Sequence, residues 1–246
     1  MEMYFLFSMT KPGPKPSRTS NPSWTPELAY ACGLIATDGS LSKDGRHINL
    51  TSKDVEQLET FKRCIGINNK IAWKSSGSYR NSCTYVQFGD VVLYKWLISI
   101  GITPKKTFTI GVVNIPDNYF ADYLRGEFDG DGSTHAYWDT RWHSSVSLYL
   151  TFVCASKKHL RWLRGGIKRM FKADGLIRCY TNHVPYLLFA KTEARKVFEA
   201  MYYSDAIPFL KRKKDKFDRQ WSSLEQSRIG KRPAGFKGGG SIMRIA

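Results

Sequence analysis

Apolar positions recur along this chain with two periods, and the order in which those periods occur is repeated. Between Arg46 and Thr51, Ile48 and Leu50 alternate with polar neighbours, as in a half-buried strand, and Leu58, Phe61 and Ile65 then follow at helical spacing. Further on, Val146, Leu148, Leu150, Phe152 and Cys154 keep period two, and Leu160, Leu163, Ile167 and Met170 return to helical spacing. Strand-like runs at Thr84 to Phe88 and Tyr186 to Ala190 lead into further helical stretches, Val91 to Ile100 and Glu193 to Tyr203. Each half reads as a helix, two strands, a helix, two strands and a helix. The pattern predicts an α+β fold of two pseudo-symmetric αββαββα repeats, each with an antiparallel four-stranded sheet.

The first helix of each half carries the clearest repeat. Residues 31–39 read ACGLIATDG and residues 124–132 read LRGEFDGDG, matching at Gly33 with Gly126, Asp38 with Asp131 and Gly39 with Gly132, the aspartates lying 93 residues apart. Thr25 is placed to cap the first helix with Pro26 at its first position, and the second is expected to start at Asp117, just after Pro116. Both are expected to end at a glycine in the left-handed position. Asp38 and Asp131 then occupy a last helical turn, where the helix dipole disfavours a carboxylate by about 0.3–1 kcal/mol. The same breach at both repeats points to a site kept for function, with a cation offsetting the repulsion. Gly33 and Thr37, like Gly126 and Gly130, lie four residues apart on one helix face. Such faces let two helices approach backbone to backbone and bring both aspartates to one end of the interface.

Composition and charge narrow the partners. The formal net charge is +17; residues 1–22 carry +2 and residues 228–246 carry +5, leaving +10 in the middle of the chain, which points to a polyanion. The expected organisation is a flexible basic arm over 1–22, a first repeat over 23–103, a linker over 104–116 with Pro104 and Pro116, a second repeat over 117–227 and a flexible basic tail over 228–246. Five cysteines without a CxxC pair suit a reducing, intracellular setting and give no support for zinc. The apolar run from Val91 to Ile102 is broken by Lys95, so no membrane span is expected.

The two nonapeptides resemble the paired motifs of the LAGLIDADG homing endonucleases in their monomeric, two-motif form, over roughly residues 24 to 221. The resemblance implies that the motif helices pair at the interface between the halves. It further implies that the acids at the eighth motif position, Asp38 and Asp131, bind the catalytic metal ions, and that the two sheets form a saddle in the major groove of DNA. Ala36 stands where the motif name has an acid, whereas Asp129 keeps it, and that position is not the metal ligand. Thr37 is bulkier than usual, and Arg125 and Glu127 make the second motif polar without a sequence-level account.

The expected activity is a magnesium-dependent endonuclease that cuts both strands of a long double-stranded DNA target, acting as a monomer in a prokaryotic cytoplasm or an organelle. Magnesium takes oxygen ligands and completes its shell with water and phosphate, so two aspartates suffice. Lys53 and Lys157, following Ser52 and Ser156, resemble the family's basic residues near the scissile phosphates. Phosphate contacts are expected from Lys105, Lys106, Lys211, Arg212, Lys213 and Lys214. Base reading is expected from Arg46, Lys70, Arg80, Gln87, Arg178, Asn182 and Lys191 on the strands and their turns. Two other readings remain at this point: an intron maturase that binds RNA, and a DNA-binding regulator without cleavage.

Overall fold

A computed structural model describes residues 20–75, 82–138 and 146–228. Arg80, nearly all of the expected N-terminal arm and the tail beyond residue 228 lie outside the described residues. The first half runs α1 (Pro26–Thr37), β1 (Gly39–Leu41), β2 (His47–Ser52), α2 (Val55–Ile65), β3 (Ala72–Ser75), β4 (Ser82–Gly89) and α3 (Val91–Ser99). The second half opens with a 3-10 turn at Asp117–Tyr119 that leads into α4 (Phe120–Asp131). It continues with β5 (Ser133–Trp138), β6 (Val146–Val153), α5 (Lys157–Phe171), β7 (Leu176–Arg178), β8 (Tyr186–Ala190) and α6 (Lys191–Met201). One further helix, α7 (Lys211–Arg228), is added to the repeat. The architecture is α+β, with two four-stranded antiparallel sheets ordered β1-β2-β4-β3 and β5-β6-β8-β7. Among the described residues, no helix is long and apolar enough to cross a membrane.

Local chemistry sets the helix starts. The Thr25 hydroxyl accepts from the Leu28 amide at 3.1 Å, and Pro26 fills the first helical position where no amide hydrogen is needed. Asp90 accepts from the Leu93 amide at 2.9 Å to open α3. The strand periodicity separates two sheet faces: Ile48, Leu50, Val86 and Phe88 in the first sheet, and Leu148, Leu150, Leu187 and Phe189 in the second, are buried beneath helices. Their alternating neighbours point away from the helices. A helical layer on one side therefore leaves each sheet with one open face.

The halves meet where α1 crosses α4. A methyl group on Gly33 would lie 2.2 Å from the Tyr123 carbonyl oxygen, and one on Gly126 would lie 2.1 Å from that of Tyr30. A methyl on Gly130 would lie 2.0 Å from the Thr37 hydroxyl and 3.0 Å from Asp38 Oδ2. No side chain larger than hydrogen fits these positions, so the two backbones touch. The glycines that close the motifs differ from the sequence expectation. Gly132 is extended, with φ −73° and ψ 156°, and Gly39 begins β1 without a positive φ. Close approach is the reason for glycine at both: an added methyl would lie 2.6 Å from Ile35 Cα at Gly39 and 2.4 Å from the Phe128 ring at Gly132. The chain turns from helix into strand over its own last turn, without a left-handed residue.

Gly126→Ala should destabilise the protein by about 3 kcal/mol, because backbone on both sides must move to admit one methyl. Gly165→Ala, at a position where an added methyl meets nothing within 4 Å, should leave stability unchanged or slightly raised. Urea unfolding of both variants checks this; equal stabilities would remove the backbone contact from the account.

Candidate active site at the ends of the paired helices

Each motif helix ends at its aspartate. The Asp38 amide donates to the Leu34 carbonyl at 3.0 Å, and the Gly132 amide donates to the Phe128 carbonyl at 2.9 Å. Because α1 and α4 cross with almost no separation, Asp38 lies against Gly130 and within electrostatic reach of Asp131. Burial, reinforced by the charge of Asp131 and opposed by Lys213 and Lys106, pushes the Asp38 carboxyl up to about 7. Asp131 reaches solvent, yet loss of hydration and the neighbouring Glu127 raise it as well, against the same two lysines. Two carboxylates are thus crowded where two helix dipoles also present their negative ends.

Two lysines answer that charge from inside the fold. Lys213, in the first turn of α7, donates to the carbonyls of Phe128 at 2.6 Å, Gly130 at 2.7 Å and Gly132 at 2.7 Å. All three ammonium protons are spent on the end of α4, where a helix leaves its carbonyls unpaired. Burial lowers Lys213 to about 8, against the charges of Asp129, Asp38 and Asp131. Lys106 donates to the Gly39 carbonyl, at the end of α1, and burial lowers its pKa against Glu127, Asp38 and Asp131. Both residues are corrected from their expected phosphate role: each is less than 10% exposed, with its cation turned inward.

The other basic residues sort by their partners. Arg212 forms a two-pronged pair with Asp54 at 2.5 and 2.9 Å, which ties α7 to the N-cap of α2 in the other half. Lys211 pairs with Asp215 at 3.1 Å, and Lys214 with Asp205 at 3.4 Å. Arg46, Lys70, Gln87, Lys105, Arg178, Asn182 and Lys191 are exposed. Lys53 and Lys157 are exposed too, but they do not occupy matching positions. Ser40 pairs with Asn49 as Ser133 pairs with Thr151, and Asp54 caps α2 as Ser156 caps α5. By that correspondence the counterpart of Lys53 is Ala155, and Lys157 lies one residue inside its helix.

The polar residues of the second motif have the account that the sequence could not supply. Arg125 is fully buried and donates to the carbonyls of Pro208 at 2.7 Å and Met201 at 2.8 Å and to Asp122 at 2.7 Å. Asp129 accepts from the Tyr30 hydroxyl at 2.9 Å, the Tyr202 hydroxyl at 2.6 Å and the Leu210 amide at 2.7 Å. Glu127 accepts from Tyr123 and meets His159 Nε2 at 2.8 Å, while His159 Nδ1 lies 2.6 Å from the Gly111 carbonyl. Burial alone would lower the His159 imidazole, but Glu127 and the Gly111 carbonyl outweigh it and raise the pKa. Gln57 occupies the matching place in α2 and donates to the Asp129 carbonyl at 2.8 Å.

No protein-family profile matches the sequence, and no curated protein matches it. Solved structures do match in fold. The homing endonuclease I-WcaI, solved bound to its DNA recognition sequence, superposes with a TM-score of 0.54 at 15% identity, over 78% of this chain and 88% of that one. The I-LtrWI LAGLIDADG homing endonuclease bound to target DNA gives 0.53 at 12% identity, over 82% and 91%. Full-length DUF199/WhiA from Thermatoga maritima gives 0.50 at 15% identity, over 85% and 69%. The chain has the LAGLIDADG fold. At these identities the likeness concerns architecture, and the chemistry has to be argued from this chain's own side chains.

Lys213→Met keeps the length of the side chain and leaves three buried carbonyls without a donor, so it should cost about 2–4 kcal/mol in urea unfolding. Lys211→Met, on the same helix, should change stability by less than about 0.5 kcal/mol. Equal effects would show that the three bonds at the end of α4 are not what holds α7 there. Asp38 makes the opposite prediction. Its folded pKa, about 7, exceeds that of an unfolded aspartate, so the stability tied to its protonated form is complete below about pH 4 and lost as the pH rises to about 7. In chelator, Asp38→Asn should therefore melt above the parent at pH 8 and together with it near pH 3.5. Coincident melting curves at both pH values would refute the crowding of charge.

Proposed function

We propose that the chain is a site-specific DNA endonuclease that hydrolyses both strands of a long duplex, acting as one chain on two unlike half-sites. The observation that carries this reading is the pair of carboxylates, Asp38 and Asp131, crowded at the joined ends of α1 and α4 with an open sheet face on either side. Their raised pKa values favour a site built to take up positive charge. The donor set fits magnesium: two carboxylates, and among the described residues no cluster of three His, Cys, Asp or Glu that would suit a softer or all-protein site. When bound, such a cation supplies charge neutralisation at the phosphate and a more acidic water.

The chain's own residues do the rest. Asp38 and Asp131, one from each half, would hold the cation. Lys106 and Lys213 keep the carboxylates in place by fixing the helix ends from which they project. Lys53, exposed just before the N-cap of α2, and Lys157, exposed in the first turn of α5, are the cations assigned to phosphate in this reading. The neighbours named as homing endonucleases bound to DNA lend the reading support through their shared architecture.

One observation favours a second reading, RNA binding. The α5 helix contains Lys157, Lys158, Arg161, Arg164, Lys168 and Arg169 without a single acidic residue, and its exposed side faces away from the sheet it covers. Beyond Lys157, that basic surface lies on the helical side of the second sheet, opposite its open face.

Incubation of the full chain with a randomised duplex library, with and without magnesium, followed by sequencing of cut ends, tests the nuclease. Cleavage should require magnesium and should fall below detection in Asp38→Asn and in Asp131→Asn, while duplex affinity stays within about threefold of the parent. The affinity should drop steeply with salt as phosphate contacts release counterions. Unchanged cutting by both variants would remove the aspartates from the chemistry. Tighter binding of structured RNA than of any selected duplex would favour the second reading.

A further inference from the structure

The open faces of the two sheets are built from equivalent positions but unlike chemistry. Strand register aligns Ser40, Asn49 and Gln87 in one row across β1, β2 and β4. In the second half, Ser133, Thr151, Leu188 and Leu176 align across β5, β6, β8 and β7. Ile48 pairs with Phe88 as Leu150 pairs with Phe189, so Leu188 is the counterpart of Gln87. The counterpart of Leu176 is Lys70, two residues before Ala72, next to Asn69, whose amide donates to the Gln87 carbonyl at 3.0 Å.

The first row thus ends in Gln87 and Lys70, both exposed, and the second in Leu188, half-buried, and Leu176, 52% exposed. The surroundings extend the difference. On the second sheet Tyr137 and Tyr149 stack at 5.9 Å, and Tyr180 lies 6.5 Å from Tyr186. On the first sheet the counterpart of Tyr149 is His47 and that of Tyr186 is Tyr85, while Asn49 and Thr51 are joined by a 3.0 Å hydrogen bond on the same face. An apolar strip beside a strongly basic molecule needs an occupant that is both anionic and locally apolar. Arg178 shares this face at one edge, and Lys191 follows directly after β8. Duplex DNA meets both demands, because the only apolar group on a major-groove base edge is the thymine methyl.

We propose that the two sheets read their half-sites by different chemistry, the first by hydrogen bonds from Asn49, Gln87 and Lys70 to base edges, the second by contact of Leu176 and Leu188 with thymine methyl groups. The inference rests on the duplex-binding reading given above. It makes the target asymmetric in kind as well as in sequence, with one half rich in T·A pairs over the strip.

The test is a binding selection of the full chain on a randomised duplex library, with calcium in place of magnesium. The selected duplex is then resynthesised with deoxyuridine for thymine in one half at a time. Removal of the methyl groups should weaken binding about fourfold for each one lost in the T·A-rich half, and leave the other half unaffected. Leu188→Gln, which installs the residue of the first sheet, should change the selected bases in that half alone and abolish its deoxyuridine effect; Leu188→Met should preserve both. A deoxyuridine response that is absent, or equal in the two halves, overturns the inference while leaving duplex binding intact. Failure to retain any duplex overturns the underlying reading with it. Self-association in sedimentation that Leu176→Asp abolishes would assign the strip to a second copy and overturn it too.

Discussion

Backbone contact between α1 and α4 is the constraint on which the remaining structure depends. Gly33 and Gly126 face each other with room for hydrogen atoms alone, and Gly130 passes the side chains of Thr37 and Asp38 in the same way. That closeness has a consequence beyond packing. Two helices that touch along their length also bring their C-terminal ends together, and with them two sets of unpaired carbonyls and two aspartates. A wider crossing would separate the carboxylates and relieve their repulsion, but it would also dissolve the site. The unfavourable electrostatics and the functional geometry are therefore the same feature.

The fold keeps this arrangement stable by carrying its own cations to the helix ends. Lys213 satisfies three carbonyls at the end of α4 with the three protons of one ammonium, and Lys106 serves the end of α1. Each comes from the segment that follows its half's last repeat helix, so the chain returns to the site only after the repeat is complete. Neither lysine reduces the charge of the aspartates to zero effect, since Asp38 still sits near 7. What remains is uncompensated negative charge at the joined helix ends, which suits the cation-binding role proposed for them.

The order of helices and strands was legible because period two and helical spacing alternate with short connections, and the doubled Asp-Gly motif marked the site. The destination of individual lysines was less so. In the run from Lys211 to Arg219 the cations look alike, and charge alone assigns all of them to solvent. Spacing distinguishes them: Leu210, Lys213, Phe217 and Leu224 fall on one helical stripe, and all four are buried. The two Ser-Lys steps show the same limit. They are alike in sequence, yet strand register places them two residues apart in the repeat, a relation that pairing alone reveals. Gly39 and Gly132 were rightly singled out, but for their size and not for their torsion angles.

The two motif helices have diverged into unequal roles. Along α1 the buried positions are apolar or small, whereas α4 presents Arg125, Glu127 and Asp129 to the interior, each with its hydrogen bonds made. Through them α4 grips Tyr30 of α1, Met201 at the end of α6, Leu210 at the entry to α7, and His159 of α5. Gln57 reaches the same helix from the first half, and Arg212 pairs with Asp54 across the same boundary. Burying so much charge is neutral at best for stability when every group is satisfied, and expensive when one is left alone. Its effect is directional: hydrogen bonds fix the rotation and register of α4, which apolar contacts and two glycine faces would leave free to slide. A slide of one residue would carry Asp131 away from Asp38, so the polar second motif is what a shared site between two unlike halves requires.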